Sequence, residues 1–487
     1  MRSSYRHTKI TFTLGPATCE PDVLEEVIRS GADVCRLNMA HANHDWVRTM
    51  VTRVREAGEK VGRDIPIMMD VKGPEIRTGA REEPLPLKTG DIIDLIVDPA
   101  APVQDNVPVV PVNYPLLVRD VPQGGVVLVD NGLIQLRVTQ KSADRLRCQV
   151  EQPGMLGSRR HINLPGVRVA LPSLTDKDRA DVRCGVECGI DFFALSFVRE
   201  AGDIEILRSF LSELGSRARI IAKIEDQSAI QNLKGIIDAA DALMVARGDL
   251  GIEVPYETLP IIQKNAIQLA RNAWKPVIVA THMLESMIEN PVPTRAEVTD
   301  VSNAVLELTD SVMLSGETTT GKHPITCINV MDRIATRMES TLPIGFNDPV
   351  RPKLDASLGA NAHTVYDVAK TKMLHAAAGL ALDLENAAVV VFTRNGDFPR
   401  VLSASRPYNC PIFAFTEDPV VLRRMRLCWG VVPFLVNFED KSLDTIAHAI
   451  AALKREHWVG YGDHLIIVTN AIVDGQIVDS VHLHRVE

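Results

Sequence analysis

The sequence lacks a long hydrophobic run and a paired cysteine motif. No apolar stretch approaches the roughly 18 residues of a membrane-spanning helix. The first residues carry basic side chains without the apolar segment of a signal peptide. The eight cysteines, at positions 19, 35, 148, 184, 188, 327, 410 and 428, show no CxxC spacing. We therefore expect a cytoplasmic protein with buried thiols, no membrane contact and no zinc site.

An excess of positive charge is also missing. The net charge of -9 and the pI near 5.9 argue against a general nucleic-acid binder, which would usually present a basic face. Any cationic site must therefore be local. Apolar residues at 46% and charged residues at 24% are ordinary values for a soluble globular protein. The length of 487 residues predicts about three domains.

Short apolar segments typical of strands recur through the chain, with helical patterns between them. We count eight: residues 8–15, 34–39, 65–73, 191–197, 219–225, 242–249, 275–282 and 311–317. Helix starts lie between them, for example at Pro21 and at Thr294. Eight such units predict a (β/α)₈ TIM barrel, because a closed sheet has no edge to protect. An open, doubly wound sheet is the alternative.

One interval interrupts this rhythm. More than a hundred residues separate the third segment from the fourth, and their middle alternates apolar and polar residues around an Asn131-Gly132 turn. This pattern predicts β-hairpins and a small inserted β-barrel over residues 74–168. Because the insertion leaves from the end of the third strand, we expect it to form a lid over the carboxyl ends of the strands. The large barrel then takes residues 1–73 and 169–341.

A separate α/β domain is predicted for residues 342–487. A helix over residues 325–339 and a linker over 342–352 precede a new alternation of helices and strands. We expect a helix over 365–382, strands over 388–393, 411–415, 431–436 and 465–469, and a closing edge strand over 478–486.

The most informative stretch runs from residue 220 to residue 251. A period of two places Lys223 and Glu225 on the same face of one strand, and the next strand leads into Arg247, Gly248 and Asp249. Lone charges are unfavourable at the mouth of an apolar barrel, so two acids beside a lysine indicate a divalent cation with an anionic substrate. The structural alternative is that Asp249 caps a helix and Lys223 pairs with Glu225.

Polar residues collect at the ends of nearly all the predicted barrel strands, the end where this architecture builds active sites. They are Arg36, Asn38, Asp70, Lys72, Ser196, Lys223, Glu225, Arg247, Gly248, Asp249, Thr281, Ser315 and Glu317. Glu225 and Asp249 could hold magnesium, Arg36 and Lys223 could bind a phosphoryl group, and the Gly248 and Asp249 amides could bind a carboxylate. A small phosphorylated acid would satisfy this set.

Eight motifs in order resemble those of the pyruvate kinase family. They are residues 8–16 (TKITFTLGP), 36–41 (RLNMAH), 70–79 (DVKGPEIRTG), 222–225 (AKIE), 244–251 (MVARGDLG), 280–287 (ATHMLESM), 293–298 (PTRAEV) and 313–318 (MLSGET). The resemblance spans nearly the whole chain. It implies a barrel with a mobile lid, a regulatory domain and a homotetramer. It also implies the glycolytic transfer of phosphate from phosphoenolpyruvate to ADP, giving pyruvate and ATP.

The resemblance also implies roles for individual residues. Lys223 would stabilise the transferred phosphoryl group, Arg36 and Ser196 would bind it, Glu225 and Asp249 would hold Mg²⁺ or Mn²⁺, and Thr281 would order proton delivery through a water. The remaining matches to substrate positions are Ala246, Arg247 and Gly248. Those to nucleotide positions are Thr13, Pro16, Asn38, His41, Arg77 and Arg160, where Arg160 replaces the usual lysine.

The expected potassium site departs from the family pattern. Asn38, Asp70 and the Val71 carbonyl are kept, but Ala40 stands where the family has a serine ligand. Glu75 is present where potassium-independent members carry lysine. We therefore expect K⁺ dependence with weakened affinity.

The expected effector loop departs further. Members activated by fructose 1,6-bisphosphate cradle a phosphate in a loop of Ser, Thr and Gly, but here Asp397 adds repulsion, Phe398 replaces a hydroxyl and Pro399 lacks a donor. We expect a poor response to that bisphosphate. Another phosphorylated effector, such as a sugar monophosphate or AMP, could bind here. The candidate residues are Thr393, Arg394, Asn395, Gly396, Arg400 and Arg406. The alternative is that these residues form a solvated surface without a ligand.

Two other functions compete with the kinase. Magnesium-enolate aldolases also place Glu and Asp on neighbouring barrel strands, but they need neither a lid nor a nucleotide pocket. A sensor that kept the fold and lost turnover is the non-enzymatic alternative, and the presence of Lys223, Glu225, Asp249 and Thr281 argues against it.

Overall fold

The structure is a computed structural model that describes residues 5–342, 368–473 and 476–487. It begins with a βαβαβ unit: β1 (Lys9–Thr13), α1 (Pro21–Arg29), β2 (Val34–Asn38), α2 (His44–Val61) and β3 (Ile67–Val71). Local signals set the helix ends. Pro21 occupies the first turn of α1, and the Asn43 side chain accepts a hydrogen bond from Trp46 N to cap α2. Gly62 ends α2 with φ +74°, a conformation that favours glycine.

The insertion that follows is all β apart from one short helix. Its elements are β4 (Leu85–Leu87), β5 (Ile92–Ile96), β6 (Val109–Pro111), α3 (Leu117–Asp120), β7 (Val126–Val129), β8 (Ile134–Lys141), β9 (Arg145–Gln152), β10 (Gly154–Leu156) and β11 (Ile162–Asn163). A six-stranded sheet of order β11-β7-β8-β9-β5-β6 and a two-stranded β10-β4 sheet surround one apolar core. The predicted turn at Asn131-Gly132 joins β7 to β8, with φ +56° and +81° at these residues.

The second part of the large domain alternates strands and helices. The strands are β12 (Phe192–Leu195), β13 (Arg219–Ile224), β14 (Ala242–Ala246), β15 (Val277–Ala280) and β16 (Ser311–Leu314). The helices are α4 (Asp176–Glu187), α5 (Ala201–Glu213), α6 (Gln227–Gln231), α7 (Leu233–Ala239), α8 (Arg247–Glu253), α9 (Leu259–Asn272), α10 (Arg295–Leu306), α11 (Gly316–Thr319) and α12 (Pro324–Glu339), with 3₁₀ turns at Tyr256–Thr258 and Glu285–Ile288.

The eight parallel strands close into a barrel of order β1-β16-β15-β14-β13-β12-β3-β2. Because β1 pairs with both β2 and β16, the sheet has no edge, which confirms the barrel and excludes the doubly wound alternative. All eight strands lie inside the segments predicted from the sequence. One apolar core packs the helices onto the strands, and a second fills the barrel.

The insertion lies over the carboxyl ends of the barrel strands, as expected for a lid. Asn163 Nδ2 on β11 donates to Glu253 Oε1 of α8 at 2.8 Å. The His161 ring lies 6.0 Å, centroid to centroid, from Phe197, which follows β12. These contacts seat the last strand of the insertion directly beside α8.

The C-terminal domain is a separate α/β unit. The predicted linker, beyond Leu342, and the start of the predicted helix at 365–367 lie outside the described residues. The elements are α13 (Val368–Asp383), β17 (Ala387–Phe392), α14 (Asp397–Ala404), β18 (Ile412–Thr416), α15 (Pro419–Met425), β19 (Val431–Leu435), α16 (Ser442–Arg455), β20 (His464–Val473) and β21 (Gln476–Arg485). The sheet has the order β19-β18-β17-β20-β21, in which β21 pairs antiparallel with β20 at one edge, confirming the predicted closing strand.

None of the described helices is both long and apolar enough to cross a membrane. All eight cysteines are free thiols, and only Cys19 and Cys188 are partly exposed. The expectation of buried thiols is therefore confirmed for the other six.

Arg406 joins the C-terminal domain to the base of the barrel. Its guanidinium is buried, 2.8 Å from Asp310 Oδ2 and 2.9 Å from the Leu308 carbonyl, and lies over the Trp429 ring. Since these partners use its donors, Arg406 is not available to an effector. This part of the sequence-based expectation is corrected, because the sequence does not reveal which arginine is buried.

Replacing Arg406 with Met should destabilise the protein by about 3–5 kcal/mol, because Asp310 would remain buried without its cation. Urea unfolding followed by circular dichroism measures the change. The matched control is Arg29→Met, which removes an exposed ion pair with Glu26 and should leave the transition in place. Equal midpoints for the two variants would contradict this account of the interface.

Candidate functional site

The inward face of four barrel strands continues into polar side chains. Residues two apart in a strand share a face. The last apolar residues that point into the barrel from β2, β3, β12 and β13 are Val34, Met68, Ala194 and Ile221. Two positions further along each of these segments comes a predicted site residue, which lies within the strand in β2, β3 and β13 and directly after the strand in β12. Those four are Arg36, Asp70, Ser196 and Lys223. The apolar strand sequence therefore directs all four side chains to the same mouth of the barrel.

Lys223 is the centre of this cluster. Its buried ammonium Nζ lies 2.7 Å from Glu225 Oε1, 2.8 Å from Ser196 Oγ and 3.2 Å from Asp70 Oδ1. Ser196 Oγ in turn donates to the Val71 carbonyl at 2.7 Å. The sequence predicted that Lys223 and Glu225 share a face, and the structure brings both together with Ser196, which follows β12, and with Asp70 of β3.

Arg36 and Lys223 hold Asp70 from two sides. Arg36 Nε and Nη2 lie 2.7 and 2.6 Å from Asp70 Oδ2, while Lys223 contacts Oδ1. Burial alone would raise the pKa of Asp70, but these two cations hold the pKa below its usual value. The carboxylate is therefore charged, and it fixes both cations at the mouth of the barrel.

Burial and neighbouring charges act in opposite directions on the charged forms of Glu225 and Lys223. Burial raises the pKa of Glu225 to about 7; the Lys223 ammonium opposes this rise and the nearby Asp249 carboxylate adds to it. Burial would lower the pKa of Lys223, but Asp70 and Glu225 raise it well above its usual value. Lys223 stays protonated, and the two acids Glu225 and Asp249 are close enough to repel one another.

The backbone after β12 fixes the orientation of Glu225. Phe197 N donates to Glu225 Oε2 at 2.7 Å, and Phe197 has φ +54°, an unusual conformation for a bulky residue. Such strain is typical of functional sites. No sequence signal indicated this contact, because it depends on a tertiary hydrogen bond between two strands.

Arg247 braces the end of β14 rather than facing the Lys223 cluster. Its Nη1 lies 2.6 Å from Asp300 Oδ1 on α10, and its Nη2 donates to the Thr281 carbonyl at 2.8 Å. The capping box of Thr294 and Glu297 starts α10 just before Asp300. The sequence predicted that helix start but not the Asp300 partner.

Thr281 lies beside Gly248 in a strained turn. Thr281 and His282 have φ of +72° and +57°, directly after β15. A Cβ at Gly248 would come within 2.9 Å of Thr281 Cγ2, so only glycine allows this approach. The start of α8, which carries Asp249, therefore packs tightly against the Thr281 side chain.

A metal ion at Glu225 and Asp249 would need further ligands. No group of three or more His, Cys, Asp or Glu within the described residues is placed to hold a metal. Magnesium often binds through one or two carboxylates together with waters and substrate oxygens. Glu225, whose pKa is raised by burial and by the Asp249 carboxylate, fits such a site, because a divalent cation would relieve the repulsion between the two acids.

The predicted potassium ligands gather at the ends of β2 and β3. Asn38 and Asp70 are direct partners in the strand register. Asn38 Oδ1 accepts from Ala40 N at 3.1 Å, and the Val71 carbonyl accepts from Ser196. The three predicted oxygen ligands, from Asn38, Asp70 and Val71, are therefore neighbours, whereas the Ala40 side chain offers no oxygen.

The predicted nucleotide residues divide into three kinds of environment. Thr13 is buried, donating to the Leu314 carbonyl and accepting from Arg36 Nη1 at 3.2 Å, so it acts within the barrel. Pro16 and His41 are exposed after β1 and β2. Arg77 and Arg160 lie on the insertion, paired with Glu75 at 2.7 Å and Asp130 at 3.3 Å.

Two other strand-end residues have different surroundings. Glu317 is buried and accepts from Leu284 N and Ser315 N, so it ties two loops together. Lys72 pairs with Glu75 at 2.9 Å. Glu317 and Lys72 therefore have structural roles. The sequence alone does not distinguish such residues from those that bind substrate.

The predicted effector loop is held by its own acid. Gly396 N donates to Thr393 Oγ1 at 2.9 Å, and Asn395 Nδ2 donates to Asp397. Arg400 Nη2 lies 2.6 Å from Asp397 Oδ1. Asp397 thus takes up the charge of Arg400 within the loop, and Arg394 is exposed.

Comparisons with known proteins give one consistent result. The family sequence model for the pyruvate kinase barrel domain matches residues 5–328, and that for the pyruvate kinase alpha/beta domain matches residues 371–479. The chain is 38% identical over 484 residues to plastidial pyruvate kinase 3 of Arabidopsis thaliana, covering 99% of this chain and 82% of that protein. It is 40% identical over 479 residues to a pyruvate kinase of Geobacillus stearothermophilus, covering 97% and 78%.

A solved structure agrees with these relatives. The pyruvate kinase of Cryptosporidium parvum superposes with a TM-score of 0.88 at 34% identity, over 99% of this chain and 96% of that one. The similarity therefore includes the barrel, the insertion and the C-terminal domain together.

Adding a methyl group at Gly248 should disturb the mouth of the barrel. Gly248→Ala should destabilise the protein by about 1–3 kcal/mol, because the new Cβ forces Thr281 or α8 to move. Gly251→Ala in the same helix is the control, since its Cβ would come no nearer than 3.7 Å to Leu259. Urea unfolding measures both. Two variants as stable as the unsubstituted protein would show that the packing at Gly248 is not tight.

Proposed function

The chain belongs to the pyruvate kinase family, whose members form pyruvate from phosphoenolpyruvate. We propose that this reaction takes place at the cluster around Lys223. The observation that carries this assignment is the single ammonium group held within 3.2 Å of Ser196, Glu225 and Asp70. Family membership also removes the aldolase alternative. The substrates of the reaction are phosphoenolpyruvate and ADP.

We propose that Glu225 and Asp249 hold Mg²⁺, or Mn²⁺, together with substrate oxygens. When bound, the cation would disperse the negative charge that builds up on the substrate oxygens as the phosphorus–oxygen bond breaks. The support is chemical: two neighbouring carboxylates, one of which has its pKa raised to about 7 by burial, are stabilised by a divalent cation. Phe197 N keeps the Glu225 carboxylate in a fixed orientation.

The chain's own cations then act on the phosphoryl group. Lys223, kept protonated by its carboxylate neighbours, neutralises the equatorial oxygens during transfer, and Arg36 of β2 binds the phosphate. Both are already oriented by Asp70, so they need little reorganisation when substrate binds. Ser196 contacts the Lys223 ammonium and assists it.

Thr281 has a positioning role in proton delivery in this proposal. A hydroxyl is too weak an acid to protonate an enolate alone, so an ordered water behind it supplies the proton. Gly248 packs against Thr281, and Ala246, Gly248 and Asp249 form the wall where the substrate carboxylate binds. Arg247 supports this wall from behind through Asp300 and the Thr281 carbonyl.

The nucleotide is proposed to bind between the barrel rim and the insertion. Pro16, Asn38 and His41 lie on the rim, and Arg77 and Arg160 lie on the insertion above it. Closure of the insertion would bring its arginines to the ADP phosphates and exclude water. The buried Thr13 takes part through Arg36 rather than by direct contact.

We also propose K⁺ as a second cofactor, held by Asn38, Asp70 and the Val71 carbonyl with weakened affinity. The remaining properties implied by the resemblance are proposals of the same kind: a homotetramer, a cytoplasmic location, a role in glycolysis and control by a small phosphorylated effector. The effector set is reduced to Thr393, Arg394, Asn395, Gly396 and Arg400.

Removing the Lys223 ammonium should nearly abolish turnover. Lys223→Met is expected to lower kcat by about 10²–10³, because the charge on the phosphoryl group is no longer neutralised. A lactate dehydrogenase-coupled assay of ADP-dependent pyruvate formation measures this. Lys60→Met, which removes an exposed lysine paired with Glu25, is the control and should match the unsubstituted enzyme. An unchanged rate in Lys223→Met would revive the sensor alternative.

Restoring a hydroxyl at position 40 should tighten potassium binding. Ala40→Ser is expected to lower the K⁺ concentration for half-maximal activity by about tenfold, the equivalent of about 1.4 kcal/mol from one added ligand. Ala42→Ser places a hydroxyl two residues away and should change nothing. The assay is the steady-state rate against K⁺ concentration. Full activity of the unsubstituted enzyme without any monovalent cation would remove the potassium proposal.

Fructose 1,6-bisphosphate should have little effect on this enzyme. Asp397 repels a phosphate and Pro399 has no donor, so the phosphoenolpyruvate concentration for half-maximal rate should not fall when the bisphosphate is added. Asp397→Ser removes the repulsion and should increase the response. A clear fall in that concentration for the unsubstituted enzyme would overturn this reading of the loop.

A further inference from the structure

A cleft separates the amino ends of the barrel strands from the C-terminal domain. It encloses about 430 Å³ of space, part of which is open to solvent. Arg219, Asp241 and Pro276 line it from the barrel, and Arg400, Arg424 and Met425 line it from α14 and α15. We call this space the base cleft. It lies at the opposite end of the barrel from the Lys223 cluster.

Positive charge dominates the base cleft. A smaller cavity of about 180 Å³ shares Pro276 and Arg400 with it and adds Arg271, Lys275 and the structural Arg406. Six cations and two carboxylates, Asp241 and Asp310, line the two spaces within the described chain. Both carboxylates are already paired, Asp241 with Arg219 and Arg208, and Asp310 with Arg406.

Two arginine donors in the base cleft have no partner. Arg400 Nε and Arg424 Nε are buried and make no hydrogen bond to any described residue. Each guanidinium is nevertheless held at its other end, by Asp397 and by the Arg217 carbonyl respectively. Buried donors without partners are rare and destabilising. The cleft therefore presents preoriented N–H groups on two helices.

The crowding of cations is unfavourable without an anion. Burial lowers the pKa of Arg424 to about 10, and neighbouring Arg219 adds to the fall. Burial likewise lowers the pKa of Lys275 to about 8, with Asp241 opposing the fall and Arg400 adding to it. An anion in the cleft would remove this repulsion from both domains at once.

We propose that the base cleft binds a phosphate group, either free or carried on a small metabolite, between Arg219 of the barrel and Arg400 and Arg424 of the C-terminal domain. Guanidinium groups suit phosphate because their planar N–H pairs match its oxygens. The ligand bridges the two domains. The cleft shares Asn395, Gly396 and Arg400 with the proposed effector set, so the inference rests in part on that proposal, and it adds Arg219 and Arg424 as phosphate ligands.

Counting bound phosphate tests this proposal. Equilibrium dialysis of the full chain against inorganic phosphate, glycerol 3-phosphate and uncharged glycerol, at constant ionic strength, gives sites per chain and affinities. Arg424→Gln and Arg219→Gln remove one cation from opposite walls, and each is expected to weaken one phosphate site by at least about tenfold. Arg29→Gln, which removes an exposed arginine outside the cleft, is the matched control and should bind phosphate within about twofold of the unsubstituted chain.

Tighter binding of glycerol 3-phosphate than of inorganic phosphate identifies an ester as the ligand, and equal binding identifies free phosphate. Unchanged turnover in the absence of phosphate shows that a variant is folded. If one of the two cleft variants does not fold, the other, from the other domain, still tests the proposal. Cleft variants that bind phosphate as well as the unsubstituted chain, or an equal loss in Arg29→Gln, would overturn the proposal. A loss of phosphate in Arg394→Gln together with normal binding in the cleft variants would assign the phosphate to the effector loop and would also overturn it.

Discussion

A protonated lysine buried among carboxylates is the constraint on which the mouth of this barrel depends. Lys223 is stable there only because Asp70 and Glu225 surround it, and those acids are tolerated only because Lys223 and Arg36 face them. The residues come from neighbouring strands, so closing the barrel and assembling the charge cluster are one event. The cluster is therefore rigid before any substrate arrives, which is what electrostatic catalysis requires.

The surrounding structure keeps the charged side chains of this cluster in place. Phe197 adopts a strained backbone to donate to Glu225, and Arg247 is held by Asp300 so that the start of α8 presents Asp249. The insertion reaches the same helix through Asn163 and Glu253. The lid and the barrel thus meet at α8, the short helix that carries Asp249. At the other end of the barrel, Arg406 and Asp310 fasten the C-terminal domain.

The sequence predicts the parts of this protein that depend on local pattern. Apolar runs predict the eight strands, Thr294 predicts the start of α10, and Asn131-Gly132 predicts its hairpin. A period of two places Lys223 beside Glu225. It does not predict contacts between distant segments: the burial of Arg406, the bond from Phe197 N to Glu225, or Asp300 as the partner of Arg247. Polar residues at strand ends look alike in sequence, whether they bind substrate or, like Glu317, tie two loops together.

The central claim is that Glu225 and Asp249 form a cation site next to a lysine that stays charged. Mn²⁺ binding in the presence of phosphoenolpyruvate, followed by electron paramagnetic resonance, tests it without requiring turnover. Glu225→Gln and Asp249→Asn should each weaken Mn²⁺ binding by at least about tenfold, since each removes a charged ligand. Glu253→Gln, in the same helix as Asp249, should bind Mn²⁺ normally. Unchanged Mn²⁺ affinity in both acid variants would contradict the claim.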